Sequence, residues 1–189
     1  LPVDSEFHFT KFIVSKGMLD KDLYLKKIKA FDRDYRSGNL NFNEYMKFLL
    51  FPLIGQDKKT VDDLVINFIE NKKEILFDEL SYELLNKHEN EKLLIASGAL
   101  DFIVKGFANF FGVKDFLGTR AEFIDNLVSG ETEGEPNFDK GKLKNVKKWC
   151  NEKGFILEES TFYTDSIHDL PLVEKCKNSI LVSPDDSLR

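Results

Sequence analysis

Asp165 and Asp169 stand four residues apart, directly after the apolar run Thr161-Phe162-Tyr163-Thr164. Two carboxylates at the end of a buried strand repel each other unless something cationic joins them. An earlier apolar run, Lys92-Leu93-Leu94-Ile95-Ala96, ends at Ser97 and Gly98, and a helical pattern comes next at once. That turn offers a hydroxyl, backbone amides and a helix N-terminus, all suited to an anion. Brought together, the two clusters would hold an anionic ligand with a divalent cation, because each charge compensates the other. Phosphate with magnesium is the natural pair. Taken singly, Ser97 reads equally well as a strand-end or capping serine.

The elements that must position these residues fall into two stretches. From residue 5 to about 91 the apolar positions recur at helical spacing, as in Tyr24, Ile28, Phe31 and Tyr35. Asp4 or Ser5 can cap a first helix running to Ser15, Ser37-Gly38 ends the next, and Asn41 with Glu44 resembles a capping box. Thr60 followed by Asp63 is read as opening another helix with Val61, Leu64, Val65 and Phe68 inward. Four or five helices packed as a bundle are expected, with the aromatic stripe as core and the mixed charge runs as solvated faces.

After His88 the pattern changes to alternating strand and helix. The strand at 92–96 precedes a helix with Leu100, Ile103, Val104, Phe107 and Phe111 on its inner stripe and Gly112 at its end. Residues 115–124 have strand character, and 126–131 read as a Gly-containing hairpin. A helix at 142–153, a buried strand at 161–164, a short helix and a last strand at 179–182 complete the chain. This order predicts an α/β fold with a doubly wound parallel sheet, whose ligands bind beyond the carboxyl ends of the strands.

Composition narrows the partners. The 189 residues are 42% hydrophobic and 32% charged, enough to fold and bury a core. With 27 Lys and Arg against 33 Asp and Glu the net charge is −6, the wrong sign for a nucleic-acid binder. No apolar run approaches the roughly 20 residues of a membrane span, and no signal pattern opens the chain, so a cytoplasmic protein without a membrane partner is expected. Cys150 and Cys176 have no metal-binding or disulfide spacing and read as reduced thiols.

The segment Tyr163-Thr164-Asp165-Ser166-Ile167-His168-Asp169-Leu170-Pro171 resembles the fourth motif of the haloacid dehalogenase superfamily, in its phosphoserine-phosphatase-like branch. Leu94-Ile95-Ala96-Ser97 resembles the second motif, Gly118-Thr119-Arg120 and the hairpin the intervening segment, and Gly141-Lys142 the third motif's lysine at a helix start. The resemblance covers nearly the whole chain. It implies a Rossmann-like core over 75–189, a helical-bundle cap inserted over 5–74, and an entry to the core over 1–4. It also implies a Mg2+-dependent phosphatase acting on a small phosphorylated substrate. Asp165 and Asp169 would hold the metal, and Ser97 and Gly98 the phosphoryl oxygens. Lys142 would neutralise charge on the nucleophile and the phosphoryl group; taken alone it reads as a solvated lysine. In phosphoserine phosphatases a glutamate of the cap-entry segment helps recognise the amino acid, and Ser5 or Glu6 falls near that place.

The family's first motif, DxDxT, supplies the nucleophilic aspartate and is absent from these residues. Leu1-Pro2-Val3-Asp4-Ser5-Glu6 resembles the stretch that leads from that motif into the cap, so the nucleophile is expected just before Leu1, on a strand between those leading to Ser97 and Asp165. A true loss of the motif would instead make a catalytically inactive binding or scaffold protein on the same fold. The ending at Pro184-Asp185-Asp186-Ser187-Leu188-Arg189 comes soon after the last strand, so a shortened C-terminus is also expected. His168 stands where the branch often has asparagine and is read as a loop histidine or a polar contact to phosphate or the metal's water. His8 and His88 are read as structural or exposed.

Overall fold

The computed structural model describes residues 2–183. Leu1 of the expected core entry and residues 184–189 of the expected core lie outside the described residues. Five helices come first. Asp4 caps α1 (Ser5–Ser15), its carboxylate accepting from Phe7 N at 2.8 Å, and the helix buries Phe9, Phe12 and Ile13. In α2 (Lys21–Arg36), Tyr24 and Ile28 face inward, and Gly38 leaves the helix in the left-handed region at φ 72°. Asn41 caps α3 (Phe42–Leu50) by accepting from Glu44 N, and a 3-10 turn with Pro52 comes after it.

The cap of α4 (Lys58–Leu76) is Asp57, which takes both the amide and the hydroxyl of Thr60. Thr60 is therefore inside the first turn, and the expected opening residue is displaced: its amide and hydroxyl both donate to the Asp57 carboxylate three residues earlier. Val61, Val65 and Phe68 are fully buried, as their spacing predicts. The helix runs unbroken through positions 74 and 75, where the expected division between cap and core falls. The fifth helix, α5 (Glu79–Lys87), has no buried residue and sets Tyr82 against Phe77 and Phe111.

The remainder alternates. A parallel pair joins β1 (Leu94–Leu100) to β2 (Asp115–Thr119), with α6 (Asp101–Phe110) between them. The expected strand at 115–124 divides at Arg120, and its second half, β3 (Ala121–Ile124), forms an antiparallel hairpin with β4 (Leu127–Thr132). The turn is Asp125-Asn126, both at positive φ, and Gly130 lies within β4. At Gly130, φ 97°, a Cβ would stand 2.8 Å from Ile54, so the glycine admits the bundle against the hairpin. A helix, α7 (Lys140–Lys153), leads to a second parallel pair: β5 (Thr161–Thr164) and, after the short α8 (Leu170–Val173), β6 (Asn178–Leu181).

Among the described residues the doubly wound α/β architecture therefore appears as two parallel pairs in separate hydrogen-bond ladders. Burial joins what the ladders do not. One apolar cluster unites α1 to α4 with α6 and the hairpin; a second gathers Val146 and Cys150 of α7 with Leu157 and Leu172. Leu94 and Leu117 of the first parallel pair and Phe162 of the second pack on that same cluster, so α7 holds both pairs. No described helix is long and apolar enough to cross a membrane.

Candidate active site

The irregular turn within β1 and the loop after β5 are built by different means; rather than ending ahead of Ser97 as expected, β1 runs on through Ser97 and Gly98 to Leu100. The β1–β2 ladder is irregular between Ala96 and Leu100, where Ser97 and Gly98 leave it. Ser97 Oγ accepts from Ala99 N at 3.2 Å, and Gly98 O accepts from Thr119 Oγ1 at 2.7 Å. Asn137, fully buried, closes the turn from outside: its Nδ2 donates to Ser97 O at 2.8 Å and Leu117 O at 3.2 Å. A Cβ at Gly98 would stand 3.3 Å from the Phe138 ring, so the glycine seats that ring against the turn.

Lys142 points inward because of how α7 begins. Asp139 enters at φ 49°, ψ −126°, a region costly for a residue with a side chain, and a Cβ on Gly141 would collide with Pro136 O. This tight entry directs Lys142, in the first turn, to the interior, where its ammonium donates to Asp169 Oδ1. Thr164 Oγ1 donates to Asp169 Oδ2 at 2.6 Å. Each side chain of the ion pair is 8% exposed, so removing either charge would strand the other away from water. The reading of Lys142 as a solvated lysine is thereby set aside.

Asp169 ends a 3-10 turn, Ile167–Asp169, capped by Ser166 Oγ, which accepts from His168 N at 3.3 Å. Asp165, one residue past β5, is solvent-exposed. The fold thus brings Lys142 and Asp169 into contact and sets Asp165 at the mouth of the same loop. Neither Ser97 nor Asp165 hydrogen-bonds that pair among the described residues.

Several contacts at the site were not legible in the sequence. Two rings of the core lie between two of the bundle in one column: Phe42 stacks on Phe138 at 4.4 Å, Phe138 lies 4.7 Å from His168, and His168 lies 4.6 Å from Tyr35. The loop histidine is therefore an aromatic contact between bundle and core, as well as part of the acidic loop. His88 binds Tyr163 of β5 at 2.8 Å through Nε2 and Glu91 at 3.0 Å through Nδ1. Glu6 is buried and accepts from Leu100 N at 3.2 Å, joining α1 to the start of α6. Burial, then the nearby Asp4 charge, pushes its carboxyl up to about 8. The motif and the cap-entry segment mark His168 and Glu6, and helical spacing marks Tyr35, without their partners; among the rest, Pro136-Asn137-Phe138, a turn-like segment just upstream of Gly141-Lys142, carries a local signal.

Asp165 and Asp169 present hard oxygen donors, and Mg2+ is commonly bound by one or two carboxylates completed by waters and phosphate oxygens. Asp165 fits that ion as one exposed donor, whereas both oxygens of Asp169 already accept, from Lys142 and Thr164, so Asp169 would reach the ion through a remaining lone pair or a metal-bound water; no group of three or more His, Cys, Asp or Glu that could hold a metal occurs among the described residues.

The family model for haloacid dehalogenase-like hydrolases matches residues 1–174. The chain belongs to that family. This haloacid dehalogenase-like hydrolase is 27% identical over 191 residues to a histidinol-phosphatase of Neisseria meningitidis, covering 98% of the chain and 86% of that protein. It is 29% identical over 189 residues to a probable phosphatase of Mycobacterium tuberculosis, covering 98% of the chain and 66% of the relative. A phosphoserine phosphatase of the same organism is 26% identical over 136 residues, where 69% of the chain spans 44% of that protein. Among solved structures, a Bordetella pertussis protein of unknown function aligns with a TM-score of 0.88 at 24% identity, covering all of this chain and 87% of that one. A phosphoserine phosphatase captured as a phospho-aspartyl intermediate analogue aligns at 0.69 and 18% identity, covering 98% and 82%. These likenesses bear out the expected fold and the expected enzyme family.

Proposed function

We propose that this haloacid dehalogenase-like hydrolase is a Mg2+-dependent phosphomonoesterase acting on a small phosphorylated metabolite. The observation that carries the reading is the buried Lys142–Asp169 pair, tied to Thr164, with the exposed Asp165 beside it. Phosphoryl transfer needs positioning and charge compensation more than covalent help from many groups. In this reading Ser97 Oγ and the Gly98 amide hold phosphoryl oxygens, and Lys142 offsets charge on the nucleophile and the transferring group. Asp165 and Asp169 hold Mg2+, which when bound draws negative charge from the phosphoryl oxygens.

The nucleophile is an aspartate on a strand preceding Leu1. Its carboxylate forms a bond to phosphorus as the ester P–O bond breaks, the second aspartate of the same DxDxT motif gives its proton to the leaving alcohol, and water, passing a proton back to that aspartate, then hydrolyses the acyl phosphate. The separate ladders of β1–β2 and β5–β6 support this placement, because they leave strand edges that such a strand would pair. So does the phospho-aspartyl state named for the phosphoserine phosphatase of similar fold.

Histidinol phosphate is the first ester to test, because the histidinol-phosphatase relative is matched over most of its length; phosphoserine is the second. The full-length protein is expected to release phosphate from one of them with Mg2+ and to stop on chelation. No release from any phosphomonoester at any Mg2+ concentration would overturn the reading in favour of a binding protein.

A further inference from the structure

Tyr35 sits in the last turns of α2, on the helical bundle, yet its hydroxyl lies 2.7 Å from Ser166 Oγ in the loop after β5. That serine governs the loop. Its amide donates to Thr164 Oγ1 at 3.2 Å, and its Oγ accepts from His168 N to cap the 3-10 turn that ends at Asp169. The side-chain rotamer of Ser166 therefore sets the turn, with Asp165 immediately before it and Asp169 at its close. Tyr35 fixes that rotamer from outside and packs its ring 4.6 Å from the ring of His168. Burial raises the phenol to about 12, so the hydroxyl keeps its proton through any working pH.

We propose that Tyr35 is a positioning residue: through Ser166 and His168 it holds the acidic loop in the conformation that presents Asp165 and Asp169 to cation and phosphate. Tyr35 makes no hydrogen bond to either carboxylate among the described residues, so it acts through the loop. The bundle's seat on the core is thereby transmitted to the metal-binding residues. The inference rests on the phosphatase reading for its purpose, though not for its test.

The test uses full-length protein without substrate. In Tyr35→Phe, which removes only the hydroxyl, Mg2+ binding measured by calorimetry is expected to weaken about three- to tenfold, the loss of one hydrogen bond. Amide hydrogen exchange over residues 166–169 should quicken by a similar factor while β1 and α7 stay unchanged. Ser166→Ala, which also removes the cap on His168 N, should show both effects at least as strongly, and adding Tyr35→Phe to it should change nothing further, since the hydroxyl then has no serine to act through. Mg2+ affinity and exchange within about twofold of wild type, or additive effects in the double variant, would overturn the proposal. If wild type releases no phosphate while exchange and Mg2+ binding shift as stated, the phosphatase reading fails and the positioning role stands.

Discussion

Lys142 and Asp169 form a buried ion pair between the first turn of α7 and the loop after β5, with Thr164 bonded to the second carboxylate oxygen. The pair joins two segments 27 residues apart and leaves no oxygen of Asp169 without a donor. Lys142→Met is expected to cost about 3–5 kcal/mol in denaturant unfolding, because the remaining carboxylate is stranded away from water. Lys142→Met combined with Asp169→Asn should recover part of that loss; a double variant no more stable than the single would count against the pair as the source.

Asp165 should behave in the opposite way. Being exposed, it can become asparagine with stability changed by no more than about 0.5 kcal/mol. Mg2+-dependent phosphate release should fall about 10²–10³-fold, as for loss of a ligand to a charge-stabilising metal. Turnover unchanged in Asp165→Asn would remove this residue from the metal site.

Glu6 predicts a pH dependence of stability. Its folded carboxyl is raised to about 8 from 4.5, first by burial and then by Asp4. Between those values the folded chain holds a proton that the unfolded chain has lost, so this group's contribution is full below pH 4.5, declines as pH rises, and is spent above pH 8. Glu6→Gln keeps an acceptor for Leu100 N without the charge. The variant should match wild type in unfolding free energy near pH 4.5 and exceed it near pH 8; parallel stability curves for the two proteins would refute the assignment.

Asn137→Leu removes the donor shared by Ser97 O and Leu117 O. A destabilisation of about 1–3 kcal/mol is expected from two buried carbonyls left without that partner. Because the same amide steadies the turn that carries Ser97, KM for the phosphate ester should rise as well, measurable by initial rates at fixed Mg2+. A stability loss with KM unmoved would confine Asn137 to the scaffold.

Local patterns already in the chain determined most of the elements and named the candidate site residues. The spacing of Val61, Val65 and Phe68, the caps at Asp4 and Asn41, and the polar residue following β5 at Asp165 each act within a few residues. Hydrophobic period and capping chemistry are written at that range. The likeness of the 163–171 segment and of Gly141-Lys142 to known motifs supplied the role proposed for Lys142, which no spacing revealed.

Tertiary structure alone decided the rest. Asp57 displaced Thr60 as a cap, taking its amide and hydroxyl, and the strand at 115–124 broke at Arg120 because its halves pair with different partners. Tyr35, Asn137 and Glu6 meet their partners 131, 40 and 94 residues away. A contact at such separation leaves no periodic trace in the chain, since either residue alone suits many environments. Only the packing of the bundle and α7 against both parallel pairs brings them together.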